Sequence, residues 1–305
     1  MKKSYKLGKL KVADGHALHF ELFGNPKATP ILYLHGGPGS GFSDRHKRFF
    51  DPKVHNVLFF DQRGSGRSTP FASLHENNTQ KLVEDIIALL EFLKIKKVFI
   101  MGGSWGSTLG MAFALAHPQY VLGLILWGIY FGSSQDTEYC YQGKASSYLM
   151  PEAWERFMSI VPKNKRNNIA SYYFKKILAD KNDKHLYEWA RYETSLLKLN
   201  MTEEEIEEDM KDDSYKSISP IEAHYISNNC FLENGYILKN AHKLSKFPVS
   251  IIHGKYDLLC SPANANKLHQ KIGGSKLYFE IAGHSTRDEA IERRIIKEVG
   301  KLKLI

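Results

Sequence analysis

The sequence predicts an α/β fold in which a mostly parallel sheet is flanked by helices and interrupted by an all-helical insertion. Near both ends of the 305-residue chain, short apolar runs alternate with segments of helical periodicity, a pattern typical of parallel sheets covered on both faces. Between about residues 130 and 240, mixed aromatic and charged residues at helical spacing replace the strand-like runs. We therefore expect an α/β core of residues 1–129 and 241–305, and a helical cap of residues 130–240.

The elements of the core are predicted in order along the chain. Period-two alternation and short apolar runs predict strands, at residues 18–24, 30–35, 56–61, 97–102, 121–128, 248–254 and 276–283. Apolar residues at helical spacing predict helices, at residues 77–95, 107–118 and 262–272 and from about residue 287 onward. Asn78 or Thr79 is the expected cap of the first of these helices.

Composition and charge disfavour several classes of protein. The chain is 43% hydrophobic and 25% charged, as in soluble globular proteins, and no apolar run approaches the ~20 residues that span a bilayer. The net charge of +9 is dispersed, so we expect neither a nucleic-acid partner nor a membrane. The N-terminal segment lacks an apolar secretory signal, and three scattered cysteines indicate no disulfide framework or metal cluster. These features favour a cytoplasmic protein and leave its oligomeric state open.

The segment GGSWG around Ser104 fits the G-x-S-x-G pattern of a nucleophilic serine. A strand is predicted directly before it and a helix directly after it, which is the context that the pattern requires. The strained turn presents the serine, and the glycines let neighbouring backbone approach it. A phosphate-binding loop is the alternative, but it would require a Lys-Ser/Thr pair or a second glycine array, and the segment has neither.

A nucleophilic serine needs a base, and the base needs an orienting carboxylate. Asp257 follows a predicted strand, at the carboxyl end where α/β proteins collect catalytic groups. Only two histidines lie downstream of it, His269 and His284. His269 falls within a predicted helix, whereas His284 lies in a loop after a strand. We therefore predict a triad of Ser104, Asp257 and His284.

Attack of the serine on an acyl carbon also needs two backbone donors for the oxyanion. The N–H of Trp105, directly after the nucleophile, is expected to be one of them. The other should come from the glycine loop HGGPGSG, which follows the strand at 30–35. Gly36 and Gly37 can both bring an N–H close because they lack a Cβ, and we favour Gly37. The indole of Trp105 is a further candidate for the pocket wall.

Five segments in this order, HGGPGSG, DQRGSGRS, GGSWGSTL, HGKYDLLCSP and AGHS, resemble the motifs of the proline iminopeptidases of the α/β-hydrolase superfamily. The resemblance covers nearly the whole chain. It implies an α/β-hydrolase fold and an enzyme that releases N-terminal proline from peptides with a serine triad, without a metal or other cofactor. Carried over by position, the triad again consists of Ser104, Asp257 and His284.

An enzyme that acts at a free N-terminus must bind a cationic amine, and a carboxylate in a partly dry site is suited to this. Glu193 and Glu222 are the candidates because both stand among aromatic residues of the insertion, where an unpaired carboxylate would be costly. They resemble the family's amine-binding glutamates, which lie in a W-x-x-W-E stretch and an E-x-H-Y stretch. Glutamates on a helix surface are the alternative, which describes most of the run EEEIEED.

The segment WGIYFG resembles the family's pocket lining and makes Tyr130 a candidate substrate-binding residue. The family commonly has arginine at the position of Trp127, phenylalanine at that of Tyr130 and an aromatic residue at that of Cys140. These departures predict a proline pocket of altered shape.

The segment DQRGSGRS follows a predicted strand and lies close in the fold to the glycine loop. Its charged residues, Asp61, Arg63 and Arg67, are expected to brace that loop through ion pairs, while a direct chemical role is disfavoured.

The expected function is release of an N-terminal residue, preferably proline, from short peptides through an acyl-enzyme formed on Ser104. An esterase or amidase with the same helical cap is the main alternative. A non-catalytic binding protein of the same fold is the second alternative. Epoxide hydrolases and haloalkane dehalogenases are disfavoured because they carry Asp at the nucleophile position.

Overall fold

The computed structural model describes residues 3–180 and 183–302, and an eight-stranded sheet forms its centre. The strands, in chain order, are β1 (Lys6–Lys11), β2 (Ala17–Gly24), β3 (Pro30–Leu34), β4 (Asn56–Phe60), β5 (Val98–Ser104), β6 (Val121–Ile129), β7 (Val249–Gly254) and β8 (Lys276–Glu280). They lie in the order β1-β2-β4-β3-β5-β6-β7-β8. The pairs from β4 to β8 are parallel, whereas β1 with β2 and β2 with β4 are antiparallel.

The described residues also form helices that cover the sheet or build the insertion. They are α1 (Thr79–Phe92), α2 (Trp105–Ala116), α3 (Ser134–Tyr141), α4 (Ser146–Leu149), α5 (Pro151–Ser159), α6 (Ile169–Asp180), α7 (Asp183–Ser195), α8 (Glu203–Asp209), α9 (Tyr215–Ser227), α10 (Tyr236–Asn240), α11 (Pro262–Lys271) and α12 (Glu289–Val299). Helices α3 to α10 follow β6 and precede β7, and no described residue between those two strands is in a strand. A mostly parallel sheet flanked by helices confirms the predicted fold class.

The sheet buries one apolar cluster on each face. Successive residues of β3, Leu32 and Tyr33, belong to opposite clusters, as the two-residue period of a strand requires. Leu109 of α2 packs into the first cluster and Ile295 of α12 into the second. Because both faces are covered, the central strands β3 to β6 are apolar along most of their length. The carboxyl ends of β5, β7 and β8 meet at one edge of the sheet.

The helical insertion has an apolar cluster of its own, rich in aromatic rings. Phe157 stacks on Tyr173 and on Tyr192, with ring centroids 4.3 and 4.1 Å apart. The later part of the insertion instead joins the first cluster of the sheet through Tyr225 and Ile237. The insertion is therefore packed internally and is also anchored to the core beneath it.

Local signals account for most element boundaries, and β1 is the strand that the sequence did not predict. Asn78 caps α1 by accepting a hydrogen bond from the N–H of Lys81. In β1, Leu7 is exposed whereas Leu10 packs against the first cluster, and because these two leucines are three positions apart the strand shows no period-two signal. It forms because it pairs with β2, and lysines at such an edge discourage further pairing.

No helix among the described residues is long and apolar enough to cross a membrane.

Candidate active site

Ser104 lies on a sharp turn between β5 and α2, with φ 55° and ψ −127°. The backbone there is strained, as expected for a serine held on a strand-to-helix elbow. Glycine is required at the neighbouring positions because a Cβ would clash with nearby backbone atoms. A Cβ on Gly102 would lie 2.3 Å from the carbonyl oxygen of Gly106, and a Cβ on Gly106 would lie 2.2 Å from that of Leu34. The glycines let the elbow close, and the turn exposes the serine.

His284 and Asp257 form a hydrogen-bonded pair at the carboxyl ends of β7 and β8. The distance from His284 Nδ1 to Asp257 Oδ2 is 2.7 Å. The other carboxylate oxygen, Oδ1, accepts hydrogen bonds from the backbone N–H groups of Leu259 and Cys260, at 2.9 and 2.8 Å. Because an ionised carboxylate can only accept, His284 carries its proton on Nδ1 and leaves Nε2 free to act as a base.

The protonation states of this pair follow from burial and mutual attraction. Burial disfavours a charged Asp257, but the charge and hydrogen bond of His284 outweigh it and lower the pKa of the carboxyl group. Burial likewise opposes a charged His284, and the charge and hydrogen bond of Asp257 raise the pKa of the imidazole above its ordinary value. Asp257 therefore stabilises the imidazolium that forms when His284 accepts a proton.

Ser104 and His284 line one cavity of about 450 Å³, together with Gly36 and Gly37. Gly128 lies between the serine and the histidine. A Cβ at this position would lie 2.9 Å from His284 Cε1 and 3.6 Å from the backbone nitrogen of Ser104. The three predicted triad residues are thus brought together, although they come from three separate parts of the chain.

The glycine loop approaches Ser104 closely. A Cβ on Gly36 would lie 3.4 Å from Ser104 Cβ, and Gly37 has φ +99°, a conformation that favours glycine. The indole of Trp105 does not wall the cavity, contrary to expectation. It is fully buried in the first cluster of the sheet, packs edge-on against Tyr225 with ring centroids 4.8 Å apart, and its Nε1 donates to Gln62 Oε1 at 2.8 Å.

Glu193 and Glu222 line the same cavity from the helical insertion, and each carboxyl group is close enough to influence the pKa of the other. The hydroxyl of Tyr141 donates to Glu193, and Trp189 Nε1 donates to Glu222 Oε2 at 2.8 Å. The rings of Tyr141 and Trp189 stack with centroids 4.2 Å apart. Two aromatic donors therefore hold two carboxyl groups side by side.

Two buried carboxyl groups side by side, both with raised pKa values, can share one proton in the absence of substrate. Burial, the negative charge of Glu193 and the hydrogen bond to it raise the pKa of Glu222 well above its ordinary value. Burial also raises the pKa of Glu193, while hydrogen bonds from Tyr141 and Glu222 oppose that shift. Among the described residues that line the cavity there is no lysine or arginine. His284 is a nearby basic side chain, and its charge lowers the pKa of Glu193.

The residues predicted for the proline pocket also face this cavity. Trp127, Tyr130 and Cys140 all line it, and Cys260, which was not predicted for the pocket, lines it as well. The carbonyl oxygen of Tyr130 accepts a hydrogen bond from Thr108 Oγ1 at 2.6 Å, which ties this part of the lining to α2. Trp127 covers the β5 backbone so closely that a Cβ on residue 103 would lie 2.0 Å from its Cε2.

One group of possible metal ligands was found among the described residues, formed by Asp257, Cys260 and His284, with ligand atoms within 4.8 Å of one another. Two of these ligands already share a hydrogen bond. A metal ion bound there would displace the proton between His284 and Asp257, so binding it would compete with the triad.

Of the charged residues of DQRGSGRS, Asp61 and Arg67 lie beside the glycine loop, whereas Arg63 points away from it. Asp61 Oδ1 accepts the N–H of Phe42, directly after the glycine loop, at 2.8 Å, and Asp61 Oδ2 pairs with Arg67 Nε at 2.9 Å. The prediction for Arg63 is wrong. Its guanidinium is fully buried, turned toward α1, and forms two hydrogen bonds with Asp85 at 2.7 and 2.9 Å and one with Asp14 at 3.0 Å.

Comparisons with known proteins agree on the family. A family model described as the alpha/beta hydrolase fold matches residues 29–289. The chain is 35% identical to the proline iminopeptidase of Arabidopsis thaliana over 99% of this chain and 80% of that protein. It is 37% identical to the proline iminopeptidase of Xylella fastidiosa (strain 9a5c) over 92% and 91%, respectively. The solved proline iminopeptidase of Mycobacterium smegmatis matches 97% of this chain and 98% of its own, with a TM-score of 0.64 at 18% identity, which indicates a shared fold.

Proposed function

The chain belongs to the proline iminopeptidases of the α/β-hydrolase fold family, and we propose that it releases N-terminal residues, proline first among them, from short peptides. The observation that carries the proposal is the buried carboxyl pair of Glu193 and Glu222 in the same cavity as Ser104 and His284. The carboxyl pair suits a cationic amine, and the serine–histidine side suits an acyl carbon.

In the proposed mechanism, Ser104 Oγ attacks the carbonyl carbon of the N-terminal residue and its proton passes to His284 Nε2. Asp257 holds the imidazole and stabilises its charge. The oxyanion accepts hydrogen bonds from the N–H groups of Trp105 and Gly37. The leaving amine takes the proton from His284, and water then hydrolyses the acyl-enzyme by the same route in reverse.

Selection for a free N-terminus is proposed to come from Glu193 and Glu222. An ammonium group brings the positive charge that the buried pair lacks, and it forms charge-assisted hydrogen bonds in a site of low polarity. A blocked N-terminus has no such charge, and binding it would leave the carboxyl groups desolvated without compensation. The proposal therefore predicts strong discrimination against N-acylated peptides.

The acyl residue is proposed to occupy the part of the cavity lined by Tyr130, Cys140 and Cys260. Aromatic and sulfur-bearing side chains suit an apolar ring such as that of proline. All three cysteines of the chain are buried and free, which supports the proposal that the enzyme works in the reducing cytoplasm.

The decisive experiment compares proline naphthylamide with N-acetyl-proline naphthylamide and with simple acyl esters. We expect hydrolysis of the free-amine substrate, little of the acetylated one, and loss of turnover by at least about 10⁴-fold in Ser104→Ala. The melting temperature of the variant, measured in parallel, should match that of the wild type.

Each other outcome has a defined meaning. Turnover that persists in Ser104→Ala refutes the triad. Equal rates on free and acetylated substrates refute the amine-binding role while leaving a serine hydrolase, and a preference for simple esters identifies the esterase alternative. A protein that fluorophosphonate does not label on Ser104 is a non-catalytic member of the fold.

A further inference from the structure

The side chain of Gln62, the second residue of DQRGSGRS, bridges the two segments that carry the proposed oxyanion donors. Its Nε2 donates to the carbonyl oxygen of His35 at 3.0 Å, directly before the glycine loop. Its Oε1 accepts from Trp105 Nε1 at 2.8 Å, directly after the nucleophile. Gln62 is 1% exposed, so the bridge is shielded from competing water.

The backbone of Gln62 strengthens the same bridge through His35. The N–H of Gln62 donates to His35 Nε2 at 3.0 Å, so that nitrogen is the acceptor and the ring proton is on Nδ1. Nδ1 then donates to the carbonyl oxygen of Gly36 at 2.9 Å. Burial lowers the pKa of His35 and keeps the ring in this neutral form. Ser40 Oγ donates to the same Gly36 oxygen at 2.8 Å.

This arrangement requires one donor and one acceptor on the same short side chain. The carbonyl of His35 can only accept and the indole of Trp105 can only donate, so an amide satisfies both at once. A carboxylate would lack the donor, and an apolar side chain would leave two buried polar groups unpaired.

The position of the glycine loop relative to the nucleophile has little tolerance. Only 3.4 Å separates the place of a Gly36 Cβ from Ser104 Cβ. Oxyanion donors act because they are held in place before the charge develops, and a misplacement of about 1 Å at a reacting centre can cost on the order of 100-fold in rate. The hydrogen bonds of Gln62 that join the glycine loop to the segment after the nucleophile are therefore expected to affect the rate of catalysis.

We propose that Gln62 is a positioning residue that sets the spacing between the two sides of the oxyanion hole, the glycine loop and the N-terminus of α2. The inference rests on the proposed function in two respects: Ser104 is the nucleophile, and the glycine loop and the N–H of Trp105 provide the oxyanion donors. It is independent of proline preference and of the carboxyl pair.

The test is Gln62→Leu, which keeps the size of the side chain and removes both of its hydrogen bonds. We expect kcat for proline naphthylamide to fall about 10- to 100-fold, with KM changed less than about twofold because the amine site is untouched. Affinity for a prolyl boronic acid, which forms a tetrahedral adduct on the serine, should fall in parallel with kcat. Affinity for the product proline should stay constant.

Thr79→Val is the matched control for lost stability. Thr79 Oγ1 donates to the carbonyl oxygen of Cys230 in a buried hydrogen bond, away from the oxyanion hole, and the substitution keeps the shape of the side chain. We expect a lower melting temperature than that of the wild type with unchanged kcat. Trp105→Phe, which removes the indole donor and retains the backbone N–H, should lower kcat, and its effect should not add to that of Gln62→Leu.

The rate at which fluorophosphonate labels Ser104 separates this inference from the peptidase proposal, because labelling needs the oxyanion hole and neither the carboxyl pair nor a proline pocket. Slower labelling of Gln62→Leu than of Thr79→Val supports the positioning role of Gln62 even if no peptide is cleaved. The inference is overturned if Gln62→Leu labels and turns over at wild-type rates, or if its boronate affinity is unchanged while kcat falls.

Discussion

Asp257 and Glu222 are both buried carboxyl groups close to the same cavity, yet their pKa values move in opposite directions. The pKa of Asp257 is lowered, because burial is outweighed by His284 and by backbone N–H groups. The pKa of Glu222 is raised well above normal, because burial is reinforced by the charge of Glu193. The neighbours, and not the residue type or the depth of burial, decide which carboxyl group is ionised.

The difference separates two tasks within one cavity. Asp257 meets its hydrogen-bond donors in the folded enzyme itself, so its carboxylate is already stabilised. The pair of Glu193 and Glu222 has two aromatic donors, Tyr141 and Trp189, and no lysine or arginine is among the described residues that line its cavity. One site is complete before the substrate arrives, and the other is completed by the substrate in the proposed mechanism.

The largest loss of activity is expected from Asp257→Asn, which removes the charge of the carboxylate that is hydrogen-bonded to His284. Asp257→Asn keeps an oxygen for the N–H groups of Leu259 and Cys260 but turns an amide toward His284 Nδ1. That nitrogen must then accept, so the proton moves to Nε2 and the histidine can no longer take the proton of Ser104. We expect kcat to fall about 10⁴-fold, measured with proline naphthylamide.

A control for this prediction is circular dichroism and thermal unfolding of the same variant, which should indicate an intact fold. If kcat falls by less than about tenfold, Asp257 does not orient the base and the triad assignment is wrong.

A smaller effect, on the KM for free-amine substrates, is expected from substitutions in the carboxyl pair of Glu193 and Glu222. Glu193→Gln removes the carboxyl group whose pKa is raised less, so KM for free-amine substrates should rise about 10- to 100-fold, the value of one or two charge-assisted hydrogen bonds. Glu222→Gln replaces a group that is already neutral by an amide of the same shape. Its KM should rise less.

The same kinetic assay with an N-blocked ester is the control for both variants, and its KM should change little. A larger KM effect in Glu222→Gln than in Glu193→Gln would show that the proton in the pair is held by Glu193 and would reverse the assignment.

The smallest effect is expected in the free energy of unfolding of Glu222→Gln and its dependence on pH. A folded pKa above the unfolded one contributes stability that is fully present below the unfolded value of 4.5 for Glu222 and is lost as pH rises through the folded value. Each unit of that difference corresponds to about 1.4 kcal/mol. Glu222→Gln should therefore match the wild type near pH 4 and exceed its free energy of unfolding by about 1–3 kcal/mol at pH 7.

Urea unfolding of both proteins across this pH range measures the effect. A difference in free energy of unfolding that stays constant from pH 4 to pH 7 would mean that Glu222 titrates normally, and the proposed shared proton would then be wrong.

The residues that could be found from the sequence are those whose role has a local cause. The elbow at Ser104 needs glycines within two positions of it, and the cap of α1 by Asn78 involves the N–H three residues later. Residues defined by distant partners were missed or misread. Arg63 was assigned to the glycine loop and instead pairs with Asp85 on α1, and Gln62 was not identified because both of its side-chain partners are remote in the chain.

By itself, the sequence predicted the order of strands and helices from β2 onward, including the run of helices between β6 and β7, and it proposed a serine, an acid and a histidine in that chain order. Periodicity, turn glycines and motif order made this possible because they are properties of neighbouring residues. Only the tertiary structure decided that β1 completes the edge of the sheet and that the indole of Trp105 turns into the core. It also decided that the Glu193 and Glu222 carboxyl groups lie in one cavity, where burial raises the pKa of both. Orientation and pKa depend on atoms that folding brings together from distant parts of the chain, and no local pattern records them.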